Sequence, residues 1–194
     1  MFFDWFIILD LDEFIYLKNN TNIKVYLNNK TFEKCQVIHL NFIYFTDNNL
    51  LHYDSRTLKE RFTIRATYAR IKKKRNVTLP EIKSIIRGKI PNLLIKSIHV
   101  GTNNSYNICN GFGEKYSGYL QSDFENYYIN HYFSKSTEEF ILKIKRGDAS
   151  CGEKLEGNIR KYFKLNKITL EKINMFEREL KINLSSYREQ LKTK

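Results

Sequence analysis

The sequence predicts an α/β protein, in which helices flank a sheet and further helices follow at the C-terminal end. Residues 5–9 form an unbroken apolar run that is too short for a helix. Such a run indicates a strand buried on both faces, as in parallel sheets. Residues 127–133 predict a strand that leads directly into a well-capped helix, and from residue 154 apolar residues recur at helical intervals in a charged segment.

The first part of the chain alternates short predicted elements and turns. Residues 23–27 have an amphipathic pattern that predicts a short helix. Residues 36–45 are rich in β-branched and aromatic side chains, which predicts a long strand, and residues 46–49 supply the polar turn after it. Residues 58–62 are compatible with a short helix or a turn.

The middle of the chain contains a basic run, two predicted strands and a long irregular segment. Residues 71–75 include the run KKKR, which is either a solvated loop or a contact for a phosphate or another anion. Residues 82–87 and 93–100 predict strands. Residues 101–126 are rich in Gly, Asn and Ser, and a long loop inside a compact domain is often functional.

The helix after residues 127–133 has the clearest boundaries in the chain. Ser136 precedes Glu139 by three positions, which is the spacing of a capping box that satisfies the first backbone amides. Basic residues fill the last turn and Gly147 follows them, as is typical of a helix C-terminus.

Composition is typical of a single globular domain. The 194 residues are enough to bury a core, and 42% hydrophobic with 14% aromatic residues excludes a disordered chain. The longest apolar stretches fall short of the roughly 18–20 residues that cross a bilayer. The first three residues lack the basic start of a signal peptide, and Asp4 interrupts the run. We therefore expect a cytoplasmic protein, free or at a membrane surface, without a transmembrane segment.

The net charge is +12, from 33 basic and 21 acidic residues. Such a surplus attracts polyanions, whether nucleic acid, anionic membranes or nucleotide phosphates. The basic residues are dispersed and no nucleic-acid-binding motif is present, so we do not expect nucleic acid as a partner. A non-enzymatic binder of nucleic acid or of a membrane surface remains an alternative, for which steep salt dependence would be the sign.

The three cysteines, Cys35, Cys109 and Cys151, lie far apart in the sequence, and no CxxC pair occurs. An odd number without such spacing indicates reduced thiols in a cytosolic protein. It also gives no sign of a metal site built from cysteine.

Carboxylates at the end of the first apolar run are the feature most informative about chemistry. Asp10 and Asp12 alternate along the predicted strand and so point to one side where the chain leaves the sheet, with Glu13 directly behind. Ligands of open α/β sheets bind beyond the carboxyl ends of strands. A bound cation would remove the repulsion between two such carboxylates. The alternative is a solvated acidic turn.

A second candidate group precedes the capped helix. His131 lies near a helix N-terminus, where amides and the helix dipole favour anions. Imidazole is a good ligand for ions such as Mn²⁺, and Lys135 would meet a phosphate. The alternative is a core histidine beside a surface lysine. His99 ends another predicted strand and has the same two interpretations, with weaker surroundings.

Two sequence blocks together resemble glycosyltransferases of the family 92 and family 2-like type, which have the GT-A fold. Residues 4–15, DWFIILDLDEFI, resemble the DxDEF segment of that family, and residues 131–147, HYFSKSTEEFILKIKRG, resemble its HYxxKSxEEFxxKxxRG block. Residues 36–49 resemble the family's strand and turn, and residues 97–99 its SxH strand end. The resemblance spans residues 4–150, and two blocks in order are far more specific than a DxD alone.

The resemblance implies metal-dependent transfer of a sugar from a nucleotide-sugar donor to a glycan or another hydroxyl acceptor. A divalent cation, Mn²⁺ or Mg²⁺, would bridge the DxD carboxylates, Asp10 and Asp12, and the donor diphosphate, with Asp12 as the foremost direct ligand. Asp10 would contact ribose or a metal-bound water, and His131 would complete the metal shell. Lys135 and Arg146 would meet the diphosphate charge. Such a cation stabilises the leaving diphosphate.

An inverting transfer also requires a general base for the acceptor hydroxyl. Asp54, Asp123 and Glu125 are loop carboxylates that qualify as candidates, and the sequence favours none of them. The donor sugar, the acceptor and the linkage also stay open, because they depend on the shape of the pocket.

One departure from the family concerns its nucleotide-binding half, which precedes the DxD strand, whereas here that strand begins close to Met1. We therefore expect residues 1–152 to form a GT-A-like catalytic domain without that half, and residues 153–194 to form a C-terminal helical extension. The chain would be a truncated or inactive enzyme that pairs with a missing half, or with a second copy through an exposed sheet edge.

A second enzymatic alternative is a haloacid-dehalogenase-like phosphohydrolase, whose nucleophile also follows an apolar strand in a DxD motif. That family has Thr or Val two positions after the second Asp, where this chain has Phe14. It also needs a further acidic pair for Mg²⁺, and Gly147-Asp148 lacks the partner. We therefore favour the glycosyltransferase interpretation.

Overall fold

The computed structural model describes residues 3–66, 71–74, 77–90, 106–116, 124–147 and 155–193. Within these ranges the protein is a mixed α/β fold, which confirms the predicted class. The strands are β1 (Trp5–Phe6), β2 (Glu13–Leu17), β3 (Val37–Tyr44), β4 (Ile71–Lys74), β5 (Val77–Pro80), β6 (Ile82–Arg87), β7 (Ile108–Cys109) and β8 (Tyr127–His131). The helices are α1 (Ile23–Leu27), α2 (Leu58–Arg61), α3 (Thr137–Arg146), α4 (Leu155–Leu165), α5 (Leu170–Leu180) and α6 (Ser185–Lys192).

The chain divides into two compact units. Unit 1 contains residues 1–43 and 69–131, and unit 2 contains residues 44–68 and 132–194. The proposed boundary between a catalytic domain, 1–152, and a helical extension, 153–194, stays a prediction.

A mixed sheet forms the centre of unit 1. Among the described residues its strands follow the order β1-β6-β3-β8-β2, and β7 pairs in parallel with the start of β3. The pairs β1–β6, β6–β3 and β8–β2 are antiparallel. Strands β4 and β5 form a separate antiparallel pair.

Strand β3 is the most deeply buried element of this sheet, because it has β6 on one side and β8 on the other. Every residue from Val37 to Tyr44 is buried, as the apolar and aromatic pattern of residues 36–45 predicts. His39 shares a hydrogen bond of 3.0 Å between Nδ1 and Ser84 Oγ, and burial lowers its pKa from 6.5 to about 4. His39 is therefore a neutral core residue at neutral pH.

The first strand differs from the prediction. The apolar run 5–9 was expected to be a strand buried on both faces in a parallel sheet, but only Trp5–Phe6 is a strand, and both residues are half-buried. It lies at one end of the strand order and is antiparallel to β6. Because β1 has β6 as its partner among the described strands, the apolar run has no second neighbour to bury it. Ile8 is accordingly exposed.

A glycine permits the close approach of the chain at this edge. The Gly88 N–H donates to the Asp4 carbonyl at 2.8 Å. A Cβ atom at position 88 would lie 1.9 Å from the Phe3 carbonyl oxygen, so a side chain here would displace the segment that leads into β1.

Two predictions for the middle of the chain need correction or lie outside the described residues. The basic run at 71–75 was interpreted as either a solvated loop or an anion contact. The loop is wrong for Ile71–Lys74, which is strand β4, with Lys72 paired with Leu79 of β5, and the anion contact stays a prediction. The predicted strand 93–100 lies outside the described residues. Residues 101–126 were expected to be irregular, and their described part contains the short strand β7.

Two of the three cysteines form a disulfide, so the expectation of reduced thiols was wrong for them. Cys35 and Cys109 are bonded, with their Cα atoms 5.8 Å apart. The pairing arises because Cys109 in β7 lies opposite Ile38 near the start of β3. The sequence separation of 74 residues gives no local sign of it. Cys151 lies outside the described residues.

Helix α3 has the predicted boundaries. The Ser136 hydroxyl donates to Glu139 Oε2 at 2.7 Å, and the Glu139 N–H donates back to Ser136 Oγ at 3.3 Å, which confirms the capping box. Gly147 follows the helix with a φ of +87°, in the region that favours glycine. Glu139 also accepts a hydrogen bond of 2.6 Å from the Arg61 guanidinium. This carboxylate is therefore structural.

A buried polar cluster connects the turn after β3 with two helices of unit 2. Asp47 Oδ2 lies 2.6 Å from Lys172 Nζ, and both side chains are buried. The Tyr162 hydroxyl donates to the same oxygen at 2.5 Å. Burial, together with the Asp47 charge, raises the pKa of Tyr162 above its usual range. The Asn49 N–H donates to Asp47 Oδ1 at 2.8 Å, which fixes the predicted turn.

The C-terminal helices were predicted from apolar residues at helical intervals, and α4, α5 and α6 confirm them. Their contact with α3 is an aromatic core of closely spaced rings: Phe140, Tyr162, Phe163 and Phe176. Among the described helices, none is both long enough and apolar enough to cross a bilayer.

Candidate functional site

The acidic segment of unit 1 is a hydrogen-bonded turn. The Glu13 N–H donates to the Asp10 carbonyl at 3.0 Å, and the Asp10 N–H donates to Glu13 Oε2 at 3.0 Å. Strand β2 begins at Glu13, so Asp10 and Asp12 precede it and do not belong to one strand. Asp10 and Asp12 were expected to point to one side because side chains alternate along a strand. That reason was wrong.

The turn places the three carboxylates in different environments. The Asp10 side chain is 59% exposed, whereas those of Asp12 and Glu13 are 9% and 0% exposed. Burial of Glu13 raises its pKa, although the Lys83 ammonium beside it opposes that rise. The carboxylates thus have unequal access to a ligand, and Asp12 lies at the boundary between core and solvent.

Lys83 is a site residue that the sequence interpretation missed. Its Nζ lies 2.6 Å from Glu13 Oε2 and 3.4 Å from Asp10 Oδ2, and the side chain is fully buried. It belongs to β6 and is paired with Leu40 of β3, so the sheet holds its backbone. The sequence predicts a strand over residues 82–87, but a lysine in such a strand is usually solvated, and no local pattern indicates its acidic partners.

His131 reaches the same turn from the last position of β8. In the β2–β8 pair His131 lies opposite Glu13, which brings its ring beside the acidic turn. The His131 Nε2 lies 3.9 Å from Asp12 Oδ1, and the ring packs on Phe42 with 4.8 Å between ring centroids. The His131 side chain is 10% exposed. The structure therefore brings together Asp12 and His131, which the sequence names as metal ligands.

The separation of these two atoms suits one shared cation. Bonds of about 2.0–2.2 Å to one ion allow two ligand atoms to lie up to roughly 4.4 Å apart. Carboxylate oxygen and imidazole nitrogen together suit ions of the Mn²⁺ or Zn²⁺ type. Among the described residues, no group of three or more His, Cys, Asp or Glu side chains is arranged for a metal. Asp12 and His131 therefore fit a cation that takes its other ligands from a substrate and water.

The residues named for the donor diphosphate belong to unit 2. Lys135 is half-buried, with a φ of +51°, directly before the cap residue Ser136. Arg146 is the exposed last residue of α3. Their role at a diphosphate stays a prediction.

The candidate bases differ in their suitability. Asp54 accepts hydrogen bonds from the Arg56 guanidinium, which lower the pKa of that carboxyl to about 2 and make it a weak base. Glu125 is exposed in the turn before β8. Asp123, named as a base, and His99, named as a further site residue, lie outside the described residues.

Comparison with protein families and with curated proteins finds no relative of this chain. A scan against protein-family models finds no matching family, and a search of curated proteins finds no match. The resemblance of the two sequence blocks to glycosyltransferases therefore stays a prediction.

Proposed function

We propose that the protein is a GT-A-like, metal-dependent glycosyltransferase, or a part of one, that binds the diphosphate of a nucleotide-sugar at Asp12 and His131. The supporting observation is the 3.9 Å separation of Asp12 Oδ1 and His131 Nε2 at the edge of the core. A carboxylate and an imidazole at this distance suit one divalent cation, Mn²⁺ better than Mg²⁺, with open positions for phosphate oxygens.

The meeting of the two sequence blocks supports this proposal. The DxDE turn and the HYFSKS segment are separated by more than a hundred positions in the sequence, yet Glu13 and His131 are direct partners in the β2–β8 pair. Two segments that resembled the family by chance would have no reason to lie side by side in the structure. The mixed α/β fold of the described residues is compatible with a GT-A-like arrangement. The assignment to the GT-A fold is itself part of the proposal.

The residues have distinct roles in the proposed reaction. Asp12 and His131 hold the cation, which when bound neutralises the charge that develops on the leaving diphosphate. Asp10 has one carboxylate oxygen, Oδ2, beside Lys83, and the exposed part of the same carboxylate would accept a hydrogen bond from a ribose hydroxyl. Glu13 is buried and fixes the turn through the Asp10 amide. The acceptor is a glycan or another hydroxyl compound, and its general base is unassigned.

The phosphohydrolase alternative receives less support. It requires an aspartate nucleophile at the end of a buried strand, but β1 ends at Phe6 and is half-buried. Asp10 lies after this strand, within 3.4 Å of the Lys83 ammonium. The predicted cytoplasmic localisation stays a prediction, and the Cys35–Cys109 bond weighs against it, because disulfides are rare in reducing compartments.

Calorimetric titration of UDP and of GDP, with and without Mn²⁺, tests the proposal. We expect Mn²⁺ to strengthen binding of one nucleotide, and Asp12→Asn to reduce that gain by at least about tenfold. Asp4→Asn is the matched control, since it removes the same charge from an 81% exposed side chain nearby in sequence. Nucleotide binding of the same affinity with and without Mn²⁺ would contradict the proposal. An equal loss of the Mn²⁺-dependent gain in Asp12→Asn and Asp4→Asn would also contradict it.

A further inference from the structure

The ammonium group of Lys83 is a cation built into the acidic turn. It lies 2.6 Å from Glu13 Oε2 and 3.4 Å from Asp10 Oδ2, and no part of its side chain is exposed. It also approaches the face of the Phe42 ring, with 6.0 Å from Nζ to the ring centroid. A buried lysine keeps its charge only beside compensating carboxylates, so its position is fixed by Glu13 and Asp10 together.

This arrangement separates the two aspartates of the DxD sequence. Asp10 faces a positive charge that the protein itself supplies, whereas Asp12 lies by the His131 imidazole. A divalent ion that bridged both aspartates would have to approach the Lys83 ammonium or displace it from Asp10. Both are unfavourable, because the Lys83 ammonium is fully buried, so that water screens little of its repulsion of a second cation. Displacement from Glu13 would also leave a buried carboxylate without its counter-charge.

We propose that Lys83 is a positioning residue that occupies Asp10 and so confines the divalent cation to Asp12 and His131. This inference rests on the proposed function, since it concerns the same cation. Lys83 takes the place of a second metal contact at Asp10. It also fixes the position of the Asp10 side chain and of the turn. The protein then binds the cation weakly by itself and strongly only with the diphosphate, which supplies the missing ligands.

Titration of Mn²⁺ alone, followed by the electron paramagnetic resonance signal of the free ion, tests the inference without any transfer reaction. Because Lys83 occupies Asp10, Asp10→Asn should change Mn²⁺ affinity by no more than about threefold. Asp12→Asn should reduce it by at least about tenfold. An equal loss in the two variants would overturn the inference. Wild-type affinity in Asp12→Asn would instead overturn the proposed metal site.

A second comparison removes the lysine while keeping the charge balance. In Lys83→Met/Glu13→Gln the buried ion pair is replaced by uncharged side chains, and Asp10 becomes available to the cation. The matched control is Lys145→Met/Glu179→Gln, because it neutralises an ion pair whose side chains are each more than a third exposed, in unit 2, and keeps the same charge balance. We expect Mn²⁺ affinity at least about tenfold higher in the first variant than in the control, and loss of this gain when Asp10→Asn is added.

Equal Mn²⁺ affinity in these two double variants would overturn the inference while leaving the Asp12 site intact. Far-ultraviolet circular dichroism establishes that both variants are folded. If Lys83→Met/Glu13→Gln does not fold, the comparison of Asp10→Asn with Asp12→Asn decides the matter alone, because neither substitution removes a member of the buried Lys83–Glu13 pair.

Discussion

Removing the Lys172 ammonium should destabilise unit 2 strongly. Lys172 Nζ lies 2.6 Å from Asp47 Oδ2 and also donates to Asn49 Oδ1 and to the Lys167 carbonyl, at 3.2 and 2.9 Å. In Lys172→Met the Asp47 carboxylate keeps its hydrogen bonds from Tyr162 and Asn49 but loses its counter-charge in the core. Breaking one side of a buried ion pair costs about 3–5 kcal/mol, a large part of the stability of a typical domain.

Urea unfolding followed by circular dichroism measures this loss against an exposed pair. Lys145→Met is the control, since Lys145 lies 2.8 Å from Glu179 with both side chains more than a third exposed, and such pairs contribute about 0–1 kcal/mol. Asp47→Asn/Lys172→Met should recover part of the loss, because no unpaired charge remains in the core. The reasoning is refuted if Lys172→Met costs no more than Lys145→Met.

Three further predictions follow from single buried groups. Because burial lowers the pKa of His39 from 6.5 to about 4, only the unfolded chain takes up this proton as pH falls from 6.5, so the free energy of unfolding should decrease by about 3 kcal/mol by pH 4. Urea titrations at both pH values should show that His39→Asn lacks most of this decrease, and an equal decrease would contradict it. The Cys35–Cys109 bond closes a separation of 74 residues, so Cys35→Ala/Cys109→Ala should lower the free energy of unfolding by about 2–4 kcal/mol, and an unchanged urea midpoint would count against the bond. Ser136→Ala should cost about 1 kcal/mol through loss of the α3 cap, with Ser185→Ala, which is exposed in α6, as a control of small effect.

Local signals in the sequence were sufficient for elements whose boundaries depend on their own residues. The cap at Ser136 and the glycine at 147 define α3 because both act within one turn of the helix. The β-branched run at 36–45 predicts β3 because each residue of that strand is buried. The turn at 46–49 follows from polar residues whose side chains bond their own backbone.

The failures concern features that depend on a distant part of the chain. The run 5–9 is apolar enough for a buried strand, but burial also requires two neighbours, and β1 has β6 as its partner among the described strands. The disulfide depends on the parallel pairing of β7 with β3, and the role of Lys83 depends on a carboxylate 70 positions earlier. No pattern around Cys35 or Lys83 contains this information.

For the candidate site, the sequence indicated two residues that lie close together in the structure, but it gave no reason for their closeness. Asp12 and His131 were named from their residue chemistry and from a family resemblance, and the β2–β8 register accounts for their closeness. Asp10 was assigned beside Asp12 on the basis of strand alternation, but the turn and Lys83 give it a separate environment. Whether Asp12 and His131 act as ligands stays a prediction.

The most direct measurement of the central claim is the pulsed electron paramagnetic resonance spectrum of Mn²⁺ bound to the protein in the presence of UDP or GDP. A histidine ligand imposes a nitrogen modulation on the Mn²⁺ echo, and phosphate oxygens of the nucleotide add a phosphorus coupling. We expect both couplings in the wild type, loss of the nitrogen coupling alone in His131→Gln, and retention of both in the control His52→Gln, whose side chain is 69% exposed in unit 2. A nitrogen coupling that persists in His131→Gln, or its absence from the wild type, would contradict a cation shared by Asp12 and His131.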